Sequence, residues 1–168
     1  PDLAPIDLHD PEATLWLRAC LWPSDAARRA RLDMALAVAR ELRLTVVGAD
    51  DGLLLLQGWL ASLPPDTLPV LFNAWVLPYF TPEMLASHRQ RVQALVQQRG
   101  LLWLSAEDAP RMAATTGLHP PARPVPGVAR AEATSHTYWT LTEPGPAGVQ
   151  HTLLARAHPH GAWLEWLA

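Results

Sequence analysis

The stretch from Pro69 to Phe80, PVLFNAWVLPYF, most constrains how this chain can fold. Its residues Val70 to Phe72 form a short, continuous apolar run, which is typical of a strand whose sheet is covered on both faces. Asn73 interrupts the run with an amide. Thr81 to Glu83 then supply an N-cap, a proline at the first helical position and an acid in the first turn. A buried strand followed at once by a helix indicates an α/β fold, in which ligands bind beyond the strand ends.

The same alternation of strand and helix extends on both sides of this stretch. Leu44 to Val47 and Leu101 to Leu104 are two further apolar runs that we predict to be strands. Helices are expected between the strands, at about Gly52 to Leu63 and at Pro82 to Arg99, and Gly100 is well placed to end the second. Strands joined through helices imply right-handed crossovers and therefore parallel pairing.

Two helices are predicted ahead of the strands. Asp10 to Glu12, with sequence DPE, has the residues of an N-cap and a first helical turn, and the helix continues to Cys20. Trp16, Cys20 and their apolar neighbours recur at helical spacing, so we expect them to share a buried face. A second helix is expected from about Asp25 to Leu42.

The last third of the chain changes character. Ala109 to Ala131 contains five prolines without sustained periodicity, which predicts a Pro-rich loop. His136 to Thr142 then alternates as strands do, and Gln150 to Ala157 returns after a turn rich in proline and glycine. These two segments predict an antiparallel hairpin.

Composition excludes several classes of function. The chain has 168 residues, of which 49% are hydrophobic and 17% charged, and its net charge is -3. We therefore expect a single globular α/β domain over residues 1–168 that binds no nucleic acid. No apolar stretch has membrane-spanning length, so we expect no membrane partner. Cys20 is the sole cysteine, which excludes an internal disulfide and favours the cytoplasm.

Four blocks of sequence carry a resemblance: WLRACLWP at 16–23, VLFNAWVLPYF at 70–80, LWLSAED at 102–108 and HPHGAWLEWL at 158–167. Together they resemble a bacterial family of uncharacterised proteins, a domain of unknown function with a methyltransferase-like fold. The resemblance implies a Rossmann-like, partly parallel sheet with flanking helices and a C-terminal antiparallel hairpin. It also implies S-adenosylmethionine as the cofactor, without an established activity.

One part of that fold has no counterpart in this sequence. Family members look longer, with an upstream strand and a glycine-rich turn that holds the amino-acid end of the cofactor. Gly48 to Asp50 contains one glycine, which does not replace such a turn. We therefore expect the chain to be the C-terminal portion of a longer protein and to bind no cofactor tightly alone. Without its upstream strands the sheet would have a gap and unpaired strand edges. Unless the remaining strands pair with one another, we expect the missing N-terminal segment or another copy in a homo-oligomer to fill that gap.

The strand ends supply the candidate site residues. Asp50, Asp51 and Asn73 are the candidates for cofactor binding. The resemblance implies that Asp50, the acid at the end of its predicted strand, faces the adenosine. Asn73, Trp75 and Glu107 are the candidates for substrate binding, because the carboxyl ends of parallel strands meet at one edge. The alternative is that these polar residues cap helices and face solvent, and for Asp51 an N-cap is the favoured interpretation.

Other reactive residues give weaker patterns. His158 and His160 lie two apart and would need His136 or His151 to complete a metal site, but their proline and glycine neighbours indicate a turn. Ser105 lacks the sequence of a nucleophile elbow. We therefore predict no metal site and assign no catalytic residue.

Two functions remain from the sequence. The first is a methyltransferase-like α/β protein that lacks the cofactor turn as given. The alternative is a non-enzymatic binding or oligomerisation module that uses the same sheet.

Overall fold

The computed structural model describes residues 5–42, 46–122, 124–125 and 136–168. These residues contain five α-helices and one five-stranded sheet. The chain divides into two compact units, Pro1–Leu56 and Gln57–Ala168. None of the helices in the described part of the chain is long and apolar enough to cross a membrane.

The first unit is helical. It contains α1 (Pro11–Ala19), α2 (Ala26–Glu41) and the start of α3 (Gly52–Ser62). The Asp10 side chain accepts a hydrogen bond from the Glu12 amide, as the sequence predicts for an N-cap.

A side-chain contact joins α1 and α2 within this unit. Arg18 Nε of α1 lies 2.8 Å from Asp33 Oδ1 of α2. Near the end of α2, Arg40 Nε donates to the Leu8 carbonyl at 2.6 Å, which ties the helix to the segment before α1.

The predicted buried face of α1 is wrong. Trp16 is 69% exposed and Cys20 is also exposed, whereas Thr14 is buried. Helical spacing identifies which side chains share a face, but it does not determine which face finds a partner. The Thr14 hydroxyl donates to the Pro11 carbonyl at 3.1 Å, so its burial leaves no hydroxyl without a partner.

The predicted strand at Leu44 to Val47 is not found where it can be assessed. Residues 43–45 lie outside the described part of the chain, and Val46 and Val47 are exposed and belong to no strand. Asp51 caps α3, because its Oδ1 accepts from the amides of Leu53 and Leu54 at 3.0 and 3.2 Å. The N-cap interpretation of Asp51 is therefore confirmed.

The second unit is built around the sheet. After the end of α3, its elements are β1 (Val70–Ala74), a 3₁₀ turn (Leu77–Tyr79), α4 (Pro82–Arg99), β2 (Leu102–Glu107), α5 (Ala109–Thr116), β3 (Thr137–Gly145), β4 (Gly148–Ala157) and β5 (Leu164–Trp166). The strands lie in the order β1-β2-β3-β4-β5, with β1 and β2 parallel and the other three pairs antiparallel. The mixed α/β class and the partly parallel sheet are confirmed. The finer Rossmann-like strand order stays a prediction, because one parallel pair is described.

Helix α4 connects the two parallel strands and has the predicted bounds. The Thr81 side chain accepts from the Met84 amide at 3.3 Å, and Gly100 ends the helix with φ 64°. That φ lies in the left-handed region, which glycine adopts without steric cost. Val92 and Val96 are fully buried, so α4 packs through its apolar stripe.

The predicted Pro-rich loop from Ala109 to Ala131 is wrong over its first eight residues, which form α5. Asp108 caps this helix, with its Oδ1 2.9 Å from the Arg111 amide. Pro110 lies in the first helical turn, where a missing N–H costs no hydrogen bond. The described residues after Gly117 and before β3 have no regular structure, and residues 123 and 126–131 of the loop lie outside the description.

The C-terminal hairpin of β3 and β4 is confirmed. Its strands meet at the turn through Gly145 and Gly148. The register shifts once, because Trp139 lies opposite Ala155 whereas Thr140 lies opposite Leu153. This β-bulge adds one residue to β4.

The two faces of the sheet differ in their surroundings. Alternate residues place Asn73, Ser105 and Glu107 on the same face as buried Trp103, and we call this the helix-side face because α4 and α5 contact the sheet. The opposite face carries Val70, Phe72, Trp139, Leu164 and Trp166 by register, and we call it the open face.

Candidate functional site

The parallel strands β1 and β2 bring predicted site residues to one edge of the sheet. Asn73 lies opposite Ser105 near the carboxyl ends of the two strands, and Glu107 is the last residue of β2. Trp75 follows β1 directly. Three residues chosen as substrate candidates, Asn73, Trp75 and Glu107, are therefore neighbours in the fold.

Asn73 lies at the centre of a polar cluster on the helix-side face. Trp103 Nε1 donates to Asn73 Oδ1 at 2.5 Å. Because an indole nitrogen can only donate, this contact fixes which end of the Asn73 amide is the oxygen. The amide nitrogen then donates to Glu107 Oε1 at 2.7 Å and to Ser105 Oγ at 3.1 Å. Both ends of the Asn73 side chain are therefore engaged by the protein itself.

Glu107 connects this cluster to the turn after β1. Its side chain is almost fully buried, with 1% relative exposure, and Oε1 accepts from the amides of Val76 and Leu77 at 3.0 and 3.3 Å. Its second oxygen, Oε2, is buried without a hydrogen-bond partner among the described residues. Glu107 thus stabilises the turn through these two hydrogen bonds, and the turn would have to open before Glu107 could contact a substrate.

Burial raises the pKa of the Glu107 carboxyl above its ordinary value of 4.5. The hydrogen bonds from Val76, Leu77 and Asn73 act in the opposite direction, because they stabilise the charged form, and the nearby charge of Asp108 adds to the increase. Desolvation is the largest of these effects. The cluster therefore holds a carboxyl whose ionisation is opposed by its surroundings.

Trp75 adopts a strained backbone conformation in the turn that Glu107 clamps. Its φ is 53°, in the left-handed region that bulky residues rarely adopt. The Trp75 amide donates to the Ala106 carbonyl at 3.0 Å, and its indole Nε1 donates to Thr137 Oγ1 at 2.9 Å. These two bonds, with the Glu107 contacts to the next two amides, hold the strained conformation in place.

A pocket of about 340 Å³ lies at the same edge of the sheet. Its principal walls are three indoles, those of Trp75, Trp139 and Trp163, and its polar residues are Thr137 and His158. The rest of the lining consists of Ala74, Ala106, Ala157, Pro159, Gly161 and Leu164. An aromatic, largely apolar concavity with few polar groups is the usual form of a small-molecule site.

The rings beside Trp163 form an aromatic group. His136 and His158 meet the Trp163 indole edge to face, with centroid distances of 5.3 and 6.3 Å. Burial lowers the pKa of His136, and the charge of Arg156 lowers it further, so the imidazole is held neutral more readily than usual. Within the described part of the chain, His136 Nε2 and Trp163 Nε1 are buried without a hydrogen-bond partner.

The structure separates the roles that the sequence assigned to one set of residues. Trp75 lines the pocket, whereas Asn73 and Glu107 support the turn from the helix-side face. Asp50 is exposed and Asp51 caps α3, both in the first unit, and their cofactor roles stay predictions. Among the described residues, no group of three or more His, Cys, Asp or Glu side chains could hold a metal ion.

Sequence reasoning missed Trp163 as a wall of the pocket. It names Trp75 and Glu107 through their positions after strands, a signal that reaches only a few residues along the chain. Trp163 lies near Trp139 because it directly precedes β5, which pairs with β4, the partner strand of β3. The one available signal was the HPHGAW turn directly after a predicted strand.

Comparison with known proteins gives a family but no characterised relative. The family described as "Uncharacterized protein conserved in bacteria (DUF2332)" matches residues 1–166. No curated protein and no solved structure matches the chain. Since the match extends over nearly the whole sequence, this chain belongs to the bacterial DUF2332 family of uncharacterised proteins.

Proposed function

We propose that this protein is methyltransferase-like and that the edge of its β1–β2 pair holds a small methyl acceptor. The pocket at the carboxyl ends of the parallel strands carries the proposal, because ligands of open α/β sheets bind at that edge. S-adenosylmethionine would supply the methyl group. We place the protein in the cytoplasm, since a single cysteine is typical of reducing compartments.

The residues of this chain fit the acceptor better than they fit the cofactor. The pocket offers aromatic walls that can orient a small molecule, and orientation is the main requirement for a direct displacement. Asp50 offers an exposed carboxylate for a ribose hydroxyl or an adenine amine. The sequence has no glycine-rich turn for the amino-acid end of the cofactor, so we assign no residue to that end.

Calorimetric titration of S-adenosylmethionine tests this proposal in two proteins: the 168-residue chain and the product of its natural reading frame. We expect no saturable heat from the chain alone, because the backbone donors of a glycine-rich turn are missing. For the protein encoded by the natural reading frame we expect a Kd near ~1 μM, which corresponds to a binding free energy of about 8 kcal/mol. Absence of binding to the natural product would reject the methyltransferase proposal, and micromolar binding to the chain alone would refute the argument from the turn.

Asp50 and Asp51 form a matched pair for the same titration. If Asp50 contacts the adenosine, Asp50→Ala should weaken cofactor binding by about 1.5–3 kcal/mol, as for a hydrogen bond to a charged group. Asp51→Ala should leave binding intact and cost about 1 kcal/mol of stability, because the amides of Leu53 and Leu54 lose their cap. The reverse pattern would show that the two roles are exchanged.

A second candidate, a binding or assembly module, is favoured by the open face of the sheet. Val70, Phe72, Leu164 and Trp166 are each at least half exposed, at 50%, 53%, 59% and 62%. The first two lie on β1 and the last two on β5, the two edge strands of the sheet, and exposed apolar residues on edge strands are typical of interaction surfaces. Light scattering at increasing concentration tests this candidate. A monodisperse 18.5 kDa monomer throughout would reject self-association, whereas a concentration-dependent dimer would support it.

A further inference from the structure

We propose that the pocket lined by Trp75, Trp139 and Trp163 binds a neutral, planar heteroaromatic molecule of one or two rings. This inference takes the site of the proposed function and names the chemical class of its ligand. It rests on that proposal only for the ligand's role as a methyl acceptor. Binding itself requires neither the cofactor nor the reaction, so the two ideas can fail separately.

Each indole wall is fixed by a second contact. Trp75 donates its indole N–H to Thr137 Oγ1 at 2.9 Å. The Trp139 ring stacks on Phe72, with a centroid distance of 5.7 Å and an interplanar angle of 14°. Trp163 packs edge to face against His136 and His158. Walls that are ordered before binding reduce the entropy cost of binding, and flat walls favour a flat ligand.

The charge of the lining indicates a neutral ligand. Among the described residues that line the pocket there is no Asp, Glu or Arg, and His158 is the one histidine among them. A permanent cation would be attracted by the aromatic faces, but it would find no carboxylate among these residues to neutralise it, so the lining favours a neutral ligand. An anion would find no guanidinium among the described lining residues.

Thr137 adds a requirement for a hydrogen-bond acceptor. Its side chain is buried and lines the pocket, and its oxygen accepts from Trp75. The hydroxyl still has its own hydrogen to donate. A ring nitrogen or a carbonyl on the ligand would satisfy this donor, whereas a hydrocarbon or a quaternary ammonium ion would leave it unpaired.

Volume and strain agree with a small, specific ligand. At about 340 Å³, the pocket is near the lower limit of the roughly 300–1,000 Å³ found for small-molecule sites. Trp75 maintains a φ of 53° to line it. Backbone strain of this kind is concentrated at functional sites. Here the strained residue is Trp75, which contributes an indole to the pocket wall and no polar catalytic group.

Three probes of similar shape or opposite chemistry test the inference on the 168-residue chain by calorimetry. Quinoline is neutral and planar with a ring nitrogen, naphthalene lacks the nitrogen, and tetramethylammonium is a cation without an acceptor. We expect saturable binding of quinoline, with naphthalene weaker by about three- to tenfold because Thr137 is left unpaired. Tetramethylammonium binding as tightly as quinoline would overturn the neutral class, and equal binding of naphthalene would overturn the role of Thr137.

Two tryptophan variants locate the binding. Trp75→Ala should weaken quinoline binding by about tenfold or more, as for an aromatic residue at the centre of a contact. The control is Trp166→Ala, because Trp166 is 62% exposed and does not line the pocket. In the NMR titration of the original chain, the Trp75 indole N–H signal, assigned by its absence from the spectrum of Trp75→Ala, should shift as quinoline is added, even if the variant is less stable.

The outcomes separate this inference from the methyltransferase proposal. Failure of the chain to bind quinoline at millimolar concentration, or equal binding by Trp75→Ala and the original chain, would overturn the inference. Neither result affects the titration of the cofactor into the natural product. Conversely, the protein encoded by the natural reading frame could bind quinoline but no S-adenosylmethionine. That result would support the proposed ligand class of the pocket and reject methyl transfer.

Discussion

The two faces of the sheet reverse the usual relation between polarity and burial. On the helix-side face, Asn73, Ser105 and Glu107 are polar and are covered, with hydrogen bonds among themselves and to nearby amides. On the open face, Val70 and Phe72 are apolar and half exposed. The comparison shows that the covered polar cluster fixes the geometry of the strand ends, while the exposed apolar face remains available for contact.

The largest test of this comparison replaces one tryptophan on each face. Trp103 is 1% exposed and Trp166 is 62% exposed. Trp103→Ala should lower the free energy of unfolding by about 3–5 kcal/mol, because it leaves a cavity and removes the partner of Asn73. Trp166→Ala should change it by about 0.5 kcal/mol or less. Urea denaturation measures both, and similar losses would mean that the open face is covered in solution.

A smaller test uses adjacent residues of β1 that point to opposite faces. Asn73→Ala should cost about 2–3 kcal/mol, because the buried residues Trp103 and Glu107 each lose a hydrogen-bond partner. Phe72→Ala should cost about 0.5–1.5 kcal/mol, mainly through the lost stacking on Trp139. If Phe72→Ala proves the more damaging in thermal or urea unfolding, the comparison fails at β1.

The smallest expected effect is the contribution of Glu107, in the covered cluster, to the pH dependence of stability. Since the pKa of Glu107 is raised on folding, the folded state binds more protons than the unfolded state between the ordinary value of 4.5 and the raised one. Stability should therefore fall as pH rises through this window, by at most about 1.4 kcal/mol per pH unit. Glu107→Gln should remove that fall.

The matched control for the pH experiment is Glu41→Gln, because Glu41 is an exposed glutamate at the end of α2. Urea unfolding at a series of pH values should give parallel curves for the original chain and for Glu41→Gln. A Glu107→Gln protein that shows the same decline with pH as the original would place the responsible group elsewhere.

The part of the fold that could be predicted is the part with local signals. Helix α4 begins after Thr81 and ends before Gly100, and both signals lie within one turn of the helix end that they determine. Asp108 and Pro110 give α5 a similar start, yet the prolines that follow outweighed this signal. Which side of α1 is covered depends on contacts distant in sequence, so the exposure of Trp16 was not predictable from its spacing.

The position of the candidate site could be predicted, but which of its residues line the pocket and which support the turn could not. Parallel strands bring Asn73 and Glu107 to one edge whatever surrounds them. That Glu107 accepts from the amides of Val76 and Leu77 follows from the path of the turn, which no residue pattern specifies. The pocket walls Trp139 and Trp163 come together because β4 pairs with β3 on one side and with β5 on the other, and local residue patterns do not specify these pairings.

The β-bulge in the hairpin has a consequence for insertions and deletions. Trp139 faces Ala155 and Thr140 faces Leu153, so Leu154 is the extra residue between them. Deletion of Leu154 would leave a regular ladder, in which each of the remaining side chains of β4 stays on the same face of the sheet as before. The Leu154 carbonyl, however, accepts from the amides of Leu167 and Ala168 at 2.7 and 3.3 Å. Among related sequences, we therefore expect length variation in this strand at Leu154, accompanied by an altered or detached end of the chain.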